Sequence, residues 1–264
     1  MMKKILSAIV IVLSLSLMCV AALGEITVTK RDMVLNRSLD KSVNNVLMLM
    51  QDGEWTDTVM IASINSKTGR SVMTRVDSEL MVELAEVGSV KLGDVYMLGS
   101  EKSRGFLVAR TLNALLDLNI STYMALDIAR LPQIVSVVGQ LNMQYDEYEA
   151  AAMGTWEGIN ELTDDKILEY VRLKLESDSP ARSRGYDALM QLLYQGLNSG
   201  NLGNMMGLGK QLLDSMDTNL NVMAAVTMVS AVQGGKDRRE LLLSDTEQAD
   251  AQEMRAAFHR EVYE

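Results

Sequence analysis

Cysteine, histidine, proline and aromatic side chains are all scarce in this chain of 264 residues. There is one cysteine, Cys19, and one histidine, His259, so a thiol-rich zinc site, a disulfide framework and a Cys/His nucleophile pair in the body of the protein are excluded. Positive charge is also in deficit: 25 Lys+Arg stand against 35 Asp+Glu, a net charge of −10. General nucleic-acid binding usually needs a basic footprint, so this balance argues against it while leaving room for a small basic pocket. Chemistry is left to carboxylates, Arg/Lys, hydroxyls and a borrowed metal ion. What the chain does have is apolar material, 48% of its residues, with only 2 prolines, which specifies a packed body and not a disordered one.

The N-terminus sets the compartment. Lys3 and Lys4 precede an uncharged apolar run, Ile5 to Leu23, which ends among Ala21, Ala22 and Gly24. That is the pattern of a secretory signal. The run is also long enough to stay as a membrane anchor with its N-terminus in the cytoplasm. Either route exports the body. Lipidation at Cys19 is disfavoured because Met18 stands where a small residue is needed. Residues 1–24 are therefore set apart as signal or anchor, 43–245 as one domain, and 246–264 as a terminal amphipathic helix. In that last segment Met254, Phe258 and Val262 recur every four residues.

Within the body, Val46–Met50 is a short apolar run bounded by Gln51, Asp52 and Gly53, consistent with a buried strand. The β-rich runs Thr58–Ile64 and Ser71–Val76 flank the turn-forming segment 65–69 and predict a hairpin. Helical spacing follows over 106–118, a strand over 122–128, and a helix over 131–138. From Thr163 onward helices are expected over 164–170, 183–197, 204–216 and 220–232, punctuated by glycines. A phosphate-loop reading of Gly203–Lys210 lacks a preceding strand, and His259 reads as a surface residue.

The order of short motifs resembles the LytR-CpsA-Psr family of cell-envelope proteins. Val46-Leu-Met-Leu-Met-Gln-Asp52 is similar to the family's strand ending in an acidic loop. Thr56-Asp57-Thr58 and the apolar run to Asn65 are similar to its Ser-Asp-Thr strand. Met73 to Leu84 lies along its Arg-Asp-Thr strand, and Lys91-Leu92 resembles its Lys-Ile-Asn motif. Leu118 to Tyr123, Gln133 to Val135 and Gly139 follow in family order, and Tyr170-Val-Arg-Leu-Lys174 resembles its Tyr-x-Arg-x-Arg segment. The resemblance spans roughly 43 to 195.

It implies an α/β fold with a mixed central β-sheet sandwiched by helices, a three-layer α-β-α arrangement with a helical C-terminal part. It also implies an exported protein that moves a glycopolymer from polyprenyl pyrophosphate to peptidoglycan, with an apolar tunnel for the lipid and Mg²⁺ at its mouth. The partners implied are a polyprenyl-linked glycopolymer or lipid pyrophosphate, peptidoglycan, and the membrane through an anchor or the lipid. By this resemblance Asp52 and Asp57 are the metal positions, and Arg172, Lys174 and Arg182 the pyrophosphate-binding ones. The catalytic residue is not assigned.

Departures from the family pattern bear on activity. Glu54 and Trp55 stand where the family has an arginine between the acids. The important arginine of the Arg-Asp-Thr strand falls on Ser78 and its aspartate on Glu79. Arg75, three residues from Ser78, is expected on the opposite strand face. Lys174 keeps a charge but loses the guanidinium fork. An Arg-Gln pair of the family reads Gly185-Tyr186 here, with Arg184 adjacent as a substitute. One preorganised charge-stabilising donor is worth about 10²–10³ in rate. The expectation is therefore a persistent fold with weakened catalysis. The alternative is a non-catalytic binder of polyprenyl phosphate or glycopolymer, or a structural envelope protein.

Overall fold

The computed structural model describes residues 25–29, 39, 41–175, 183–198, 216–221, 237–244 and 250–263. The expected signal or anchor, Arg182 and the Gly203–Lys210 segment lie outside them.

Two consecutive hairpins start the sheet. Strand β1 (Val43–Asp52) turns through Gly53 and Glu54 into β2 (Trp55–Asn65), with Asp52 opposite Trp55. Gly53 has φ +64, the left-handed backbone that such a two-residue turn requires. β2 then turns into β3 (Arg70–Val76), where the Asn65 carboxamide accepts from the backbone N–H groups of Lys67 and Thr68 at 3.0 and 3.2 Å. After a small hairpin of β4 (Met81–Leu84) and β5 (Gly88–Lys91), helices α1 (Leu92–Leu98) and α2 (Arg104–Leu116) lead into β6 (Ile120–Asp127). Helix α3 (Leu131–Val138) follows, then β7 (Leu141–Tyr145), α4 (Glu147–Ala152) and β8 (Gly158–Leu162), with β7 and β8 paired antiparallel. Helices α5 (Ile167–Val171) and α6 (Arg184–Asn198), strands β9 (Met216–Thr218) and β10 (Asp237–Leu243), and helix α7 (Ala251–Tyr263) complete the described chain.

The main sheet has the order β10-β3-β2-β1-β6-β9. It is mixed: β1 pairs with β6 and β3 with β10 in parallel, and the other contacts are antiparallel. Alternate residues serve two cores. Leu47, Leu49, Val59, Ile61 and Val72 face one apolar layer shared with α1, α2 and α7. Met48, Met50, Met60, Ala62 and Met73 face the other, shared with α3, α5 and α6. Burial on both faces explains why these strands read as continuous apolar runs and not as alternating ones. The expected three-layer arrangement is what the structure shows.

Two expectations for the second half need correction. Met216, placed at the end of a helix by periodicity, lies in the edge strand β9, and Leu220 and Asn221 are outside any helix. The rest of those two spans lies outside the described residues. β10 was not foreseen at all, and it joins the sheet in parallel with β3. The terminal helix is found, with Met254, Phe258 and Val262 buried as their spacing requires.

Candidate functional site

The site grows from the β1–β2 hairpin. Met50 pairs with Thr58 but Gln51 pairs with Thr56, so Asp57 is the extra residue of a bulge. A bulge interrupts the pleat and re-aims its side chain. It presents the Asp57 carboxylate on the same edge as Asp52, and both border one cavity of about 170 Å³.

Across that cavity α5 ends at Val171 and the chain becomes irregular over Leu173–Leu175. Residues two apart then project together, which a continued helix would forbid. Arg172 donates through Nε and Nη2 to the two carboxylate oxygens of Asp52, at 3.1 and 2.7 Å. Lys174 Nζ donates to Asp57 Oδ1 at 3.0 Å. The structure thus brings Asp52, Asp57, Arg172 and Lys174 together, as two ion pairs side by side. Asp52, first by its hydrogen bonds and then by its charge, raises the Arg172 pKa further, so that group stays cationic. Arg182 lies outside the described residues.

Ser183 is a residue that motif matching missed. It precedes α6, and its Oγ accepts from the Tyr186 N–H at 3.1 Å, the geometry of a helix cap. The same hydroxyl lies 2.7 Å from Thr58 Oγ1 and 3.3 Å from Asp57 Oδ2. Asp57 therefore faces the positive end of α6 as well as Lys174. A serine just before an apolar periodic run was the available signal. Gly185 presses on this corner: a Cβ there would lie 3.1 Å from Thr58 Oγ1 and 3.4 Å from Asp57 Oδ2.

A second cavity, of about 140 Å³, lies on the other side of the Asp57–Lys174 pair, with Trp55, Arg75, Ser78 and Glu79 on its wall. Arg75 and Ser78 thus border one cavity, although Arg75 lies on the Tyr186 face of β3 and Val76 on the other. β3 stops at Val76, so strand alternation does not carry through to Ser78. The Arg75 guanidinium lies over the Tyr186 ring, 4.7 Å from its centroid. Burial, then the charge of Glu240, pushes the Tyr186 hydroxyl pKa well up.

Arg184, the other proposed substitute, is not at the site. Its Nε donates to Glu149 at 2.8 Å in a pair whose side chains are only 2% and 1% exposed, and its Nη1 donates to the Leu173 carbonyl at 2.9 Å. It fixes the backbone between Arg172 and Lys174 and has no free face for a ligand.

For Mg²⁺, the donor set fits: two carboxylates on one cavity leave the remaining positions to water and phosphate, as this ion prefers. Among the described residues no group of three or more metal-ligating acids, histidines or cysteines occurs.

Comparisons with known proteins agree on the fold. A model of the LytR_cpsA_psr family matches residues 20–254. Biofilm regulatory protein A of Streptococcus mutans serotype c is 21% identical over 189 residues, 64% of this chain and 46% of that protein, so the chain spans about half the length of this curated relative. Among solved structures, B. subtilis TagV superposes with a TM-score of 0.68 at 14% identity, covering 85% of this chain and 98% of its own. TagT bound to LIIa-WTA gives 0.69 at 14%, covering 90% and 99%. YwtF (TagT) with bound octaprenyl pyrophosphate lipid gives 0.65 at 16%, covering 91% and 98%.

Proposed function

The chain belongs to the LytR-CpsA-Psr family, and from that premise we propose that it holds a polyprenyl-pyrophosphate-linked glycopolymer at the Asp52, Asp57, Arg172, Lys174 cluster and transfers it slowly to a wall acceptor such as peptidoglycan. The observation that carries this reading is the pairing of two carboxylates and two cations around one cavity. Structural relatives with bound octaprenyl pyrophosphate and LIIa-WTA support it.

Magnitudes explain how an anion enters a site whose cations are already paired. The Arg172 and Lys174 side chains are 50% and 71% exposed. Exposed pairs of this kind are worth at most about 1 kcal/mol, so exchanging a carboxylate for a phosphate oxygen costs little. Asp52 and Asp57, once released, are the residues that would hold Mg²⁺, which supplies neutralisation of charge building on the leaving phosphate. In the transfer, an acceptor hydroxyl oxygen bonds to the phosphorus carrying the polymer. The bond from that phosphorus to the bridging oxygen breaks, polyprenyl monophosphate leaves, and the hydroxyl proton passes to solvent.

Turnover is slow on this reading because the guanidinium complement is reduced. Ser78 replaces an arginine, Lys174 offers a point charge, and Arg184 is locked to Glu149. Arg75 restores one cation on the Asp57 side. The protein would work on the outer face of the membrane, where residues 1–24 direct it.

Thermal-shift binding of the full chain to undecaprenyl pyrophosphate with Mg²⁺ tests the site. Stabilisation that Arg172→Ala reduces is the expected result, and no shift in either protein would remove the pyrophosphate reading. Stabilisation without any release of monophosphate in the presence of a lipid-linked polymer and wall acceptor would favour the pure binder. That second reading has its own observation: both cluster cations already have carboxylate partners.

A further inference from the structure

We propose that the hydroxyls of Thr58 and Ser183 are a positioning pair for Asp57: they hold its Oδ2 and leave Oδ1 as the oxygen that exchanges Lys174 for Mg²⁺. The proposal rests on the reading of Asp52 and Asp57 as the metal positions, and it concerns two residues that this reading leaves without a role.

The two hydroxyls come from separate elements. Thr58 lies in β2 beside the bulge, and Ser183 stands before α6, 125 residues further on. Both residues are buried, at 1% and 8% exposure. Their oxygens are 2.7 Å apart, and each lies 3.3 Å from Asp57 Oδ2. Protons decide how such a triangle is wired. A hydroxyl has one hydrogen to donate and an ionised carboxylate has none. One hydrogen bridges the two hydroxyls, whichever of them donates, and the other goes to Oδ2. The Tyr186 N–H, at 3.1 Å, fixes the Ser183 oxygen in turn, so α6 anchors the triangle.

A helix cap needs no threonine beneath it, and a strand threonine needs no carboxylate. Here both converge on one carboxylate oxygen at a cavity wall, which is how outer groups orient a metal ligand. The two aspartates differ accordingly. Among the described residues the Asp52 carboxylate is hydrogen-bonded by Arg172 alone, and its side chain is 37% exposed. Asp57 is held from the protein side and is 19% exposed, whereas its outer partner Lys174 is 71% exposed. Asp57 is the fixed member of its ion pair, and Lys174 the exchangeable one.

Mn²⁺ suits the same oxygen ligands as Mg²⁺ and reports its own binding by electron paramagnetic resonance. The full chain is titrated with Mn²⁺, alone and with undecaprenyl pyrophosphate. Thr58→Val with Ser183→Gly removes both hydroxyls, and glycine keeps most of the cap. This double variant should bind Mn²⁺ at least about tenfold more weakly. Thr58→Val alone leaves the Ser183 hydroxyl within reach of Oδ2 and should lose about threefold. It carries the test by itself if the double variant does not fold. Thr58→Ser, which keeps the hydroxyl, should bind as the unsubstituted chain does. Lys174→Met should act in the opposite direction without lipid, a gain of about two- to fivefold, because the metal no longer displaces a cation.

Unchanged Mn²⁺ affinity in a folded double variant, with only its melting temperature lowered, makes the hydroxyls merely structural. That overturns the proposal and leaves the metal reading standing. Mn²⁺ binding that Lys174→Met weakens or leaves unchanged overturns the exchange at Oδ1 in the same way. No Mn²⁺ binding by the unsubstituted chain in either condition removes the metal reading of the two aspartates, and the proposal falls with it.

Discussion

Arg184 and Glu149 form the most deeply buried ion pair among the described residues, and its asymmetry gives a sharp expectation. Glu149 also completes a capping box with Asp146 at the start of α4, so the pair ties α4 to α6 and, through the Leu173 carbonyl, to the segment bearing Arg172 and Lys174. Removing one member of a buried pair leaves the other charge without compensation, a cost of about 3–5 kcal/mol. Arg184→Met should therefore lower unfolding free energy in urea by about that amount. The double change Arg184→Met with Glu149→Met should recover most of the loss. A loss in the double variant equal to the sum of the two single losses would show that the pair does not couple. Arg184 is also where reading a sequence by motif has its limit. Spacing places an arginine next to the family's position, but only packing shows that it is spent on Glu149. For Arg75 alternation gives the face, the Tyr186 side of β3, but not that it shares a cavity with Ser78 beyond the end of the strand. The acids, Arg172 and Lys174 were legible because each pair comes from short segments whose motif order is preserved.

At the scale of elements, α7 shows how a terminal segment becomes part of the body. Its Met254, Phe258 and Val262 enter the layer beneath α2. On the same helix Arg255 Nη2 donates to the carbonyls of Ala114 and Leu115 at 3.2 and 3.0 Å, and His259 Nε2 lies 2.8 Å from the Leu116 carbonyl. These are last-turn carbonyls of α2, which have no partner within their own helix. Phe258→Ala should cost about 3–5 kcal/mol, because the ring is fully buried. Arg255→Ala should cost about 0.5–1.5 kcal/mol, the net worth of such hydrogen bonds. Urea unfolding of the two variants checks the ranking, and similar losses would mean that α7 is held by its polar contacts. The apolar face of α7 was readable from a four-residue spacing. Its docking partner was not, and neither was β10, whose charged first half gives no strand period. β10 owes its pairing to β3, to a row of backbone hydrogen bonds between segments remote in sequence, and to Arg70, which reaches Asp237 at 3.0 Å. β9 has three residues, too few to carry a pattern.

The whole molecule holds several phenols neutral, and this fixes its alkaline limit. Tyr145, stacked on Tyr170 at 5.2 Å, is pushed up to about 12 by burial and then by the charge of Glu149. Tyr96 and Tyr123 share the Asp217 carboxylate and, like Tyr186, are driven higher, by burial first. A phenol whose pKa is raised on folding stabilises the native state fully below its unfolded value of about 10, and that stability is lost as pH rises toward the folded value. Tyrosinate absorbance of these four side chains should therefore appear together with loss of the far-ultraviolet signal, above pH about 10. A smooth titration in a still-folded protein would contradict it.

The charge of the whole also bears on the ligand. A chain with net charge −10 repels a pyrophosphate at long range, and the local cluster of two acids and two cations is neutral. Guanidinium contact alone then sets an anion against the carboxylates that Arg172 and Lys174 have just released. Mg²⁺ held by Asp52 and Asp57 would make the neutral cluster positive, because it offsets those two carboxylates while Arg172 and Lys174 keep their charge. Lipid binding should accordingly depend on the metal. With EDTA the thermal shift from undecaprenyl pyrophosphate should fall at least about tenfold in apparent affinity, a loss of about 1.4 kcal/mol or more. Asp52→Asn with Asp57→Asn should bind the lipid without this metal dependence, since the repulsion and the metal site are removed together. Equal affinity with and without Mg²⁺ in the unsubstituted protein would place the pyrophosphate on the cations alone and leave the two aspartates as their structural partners.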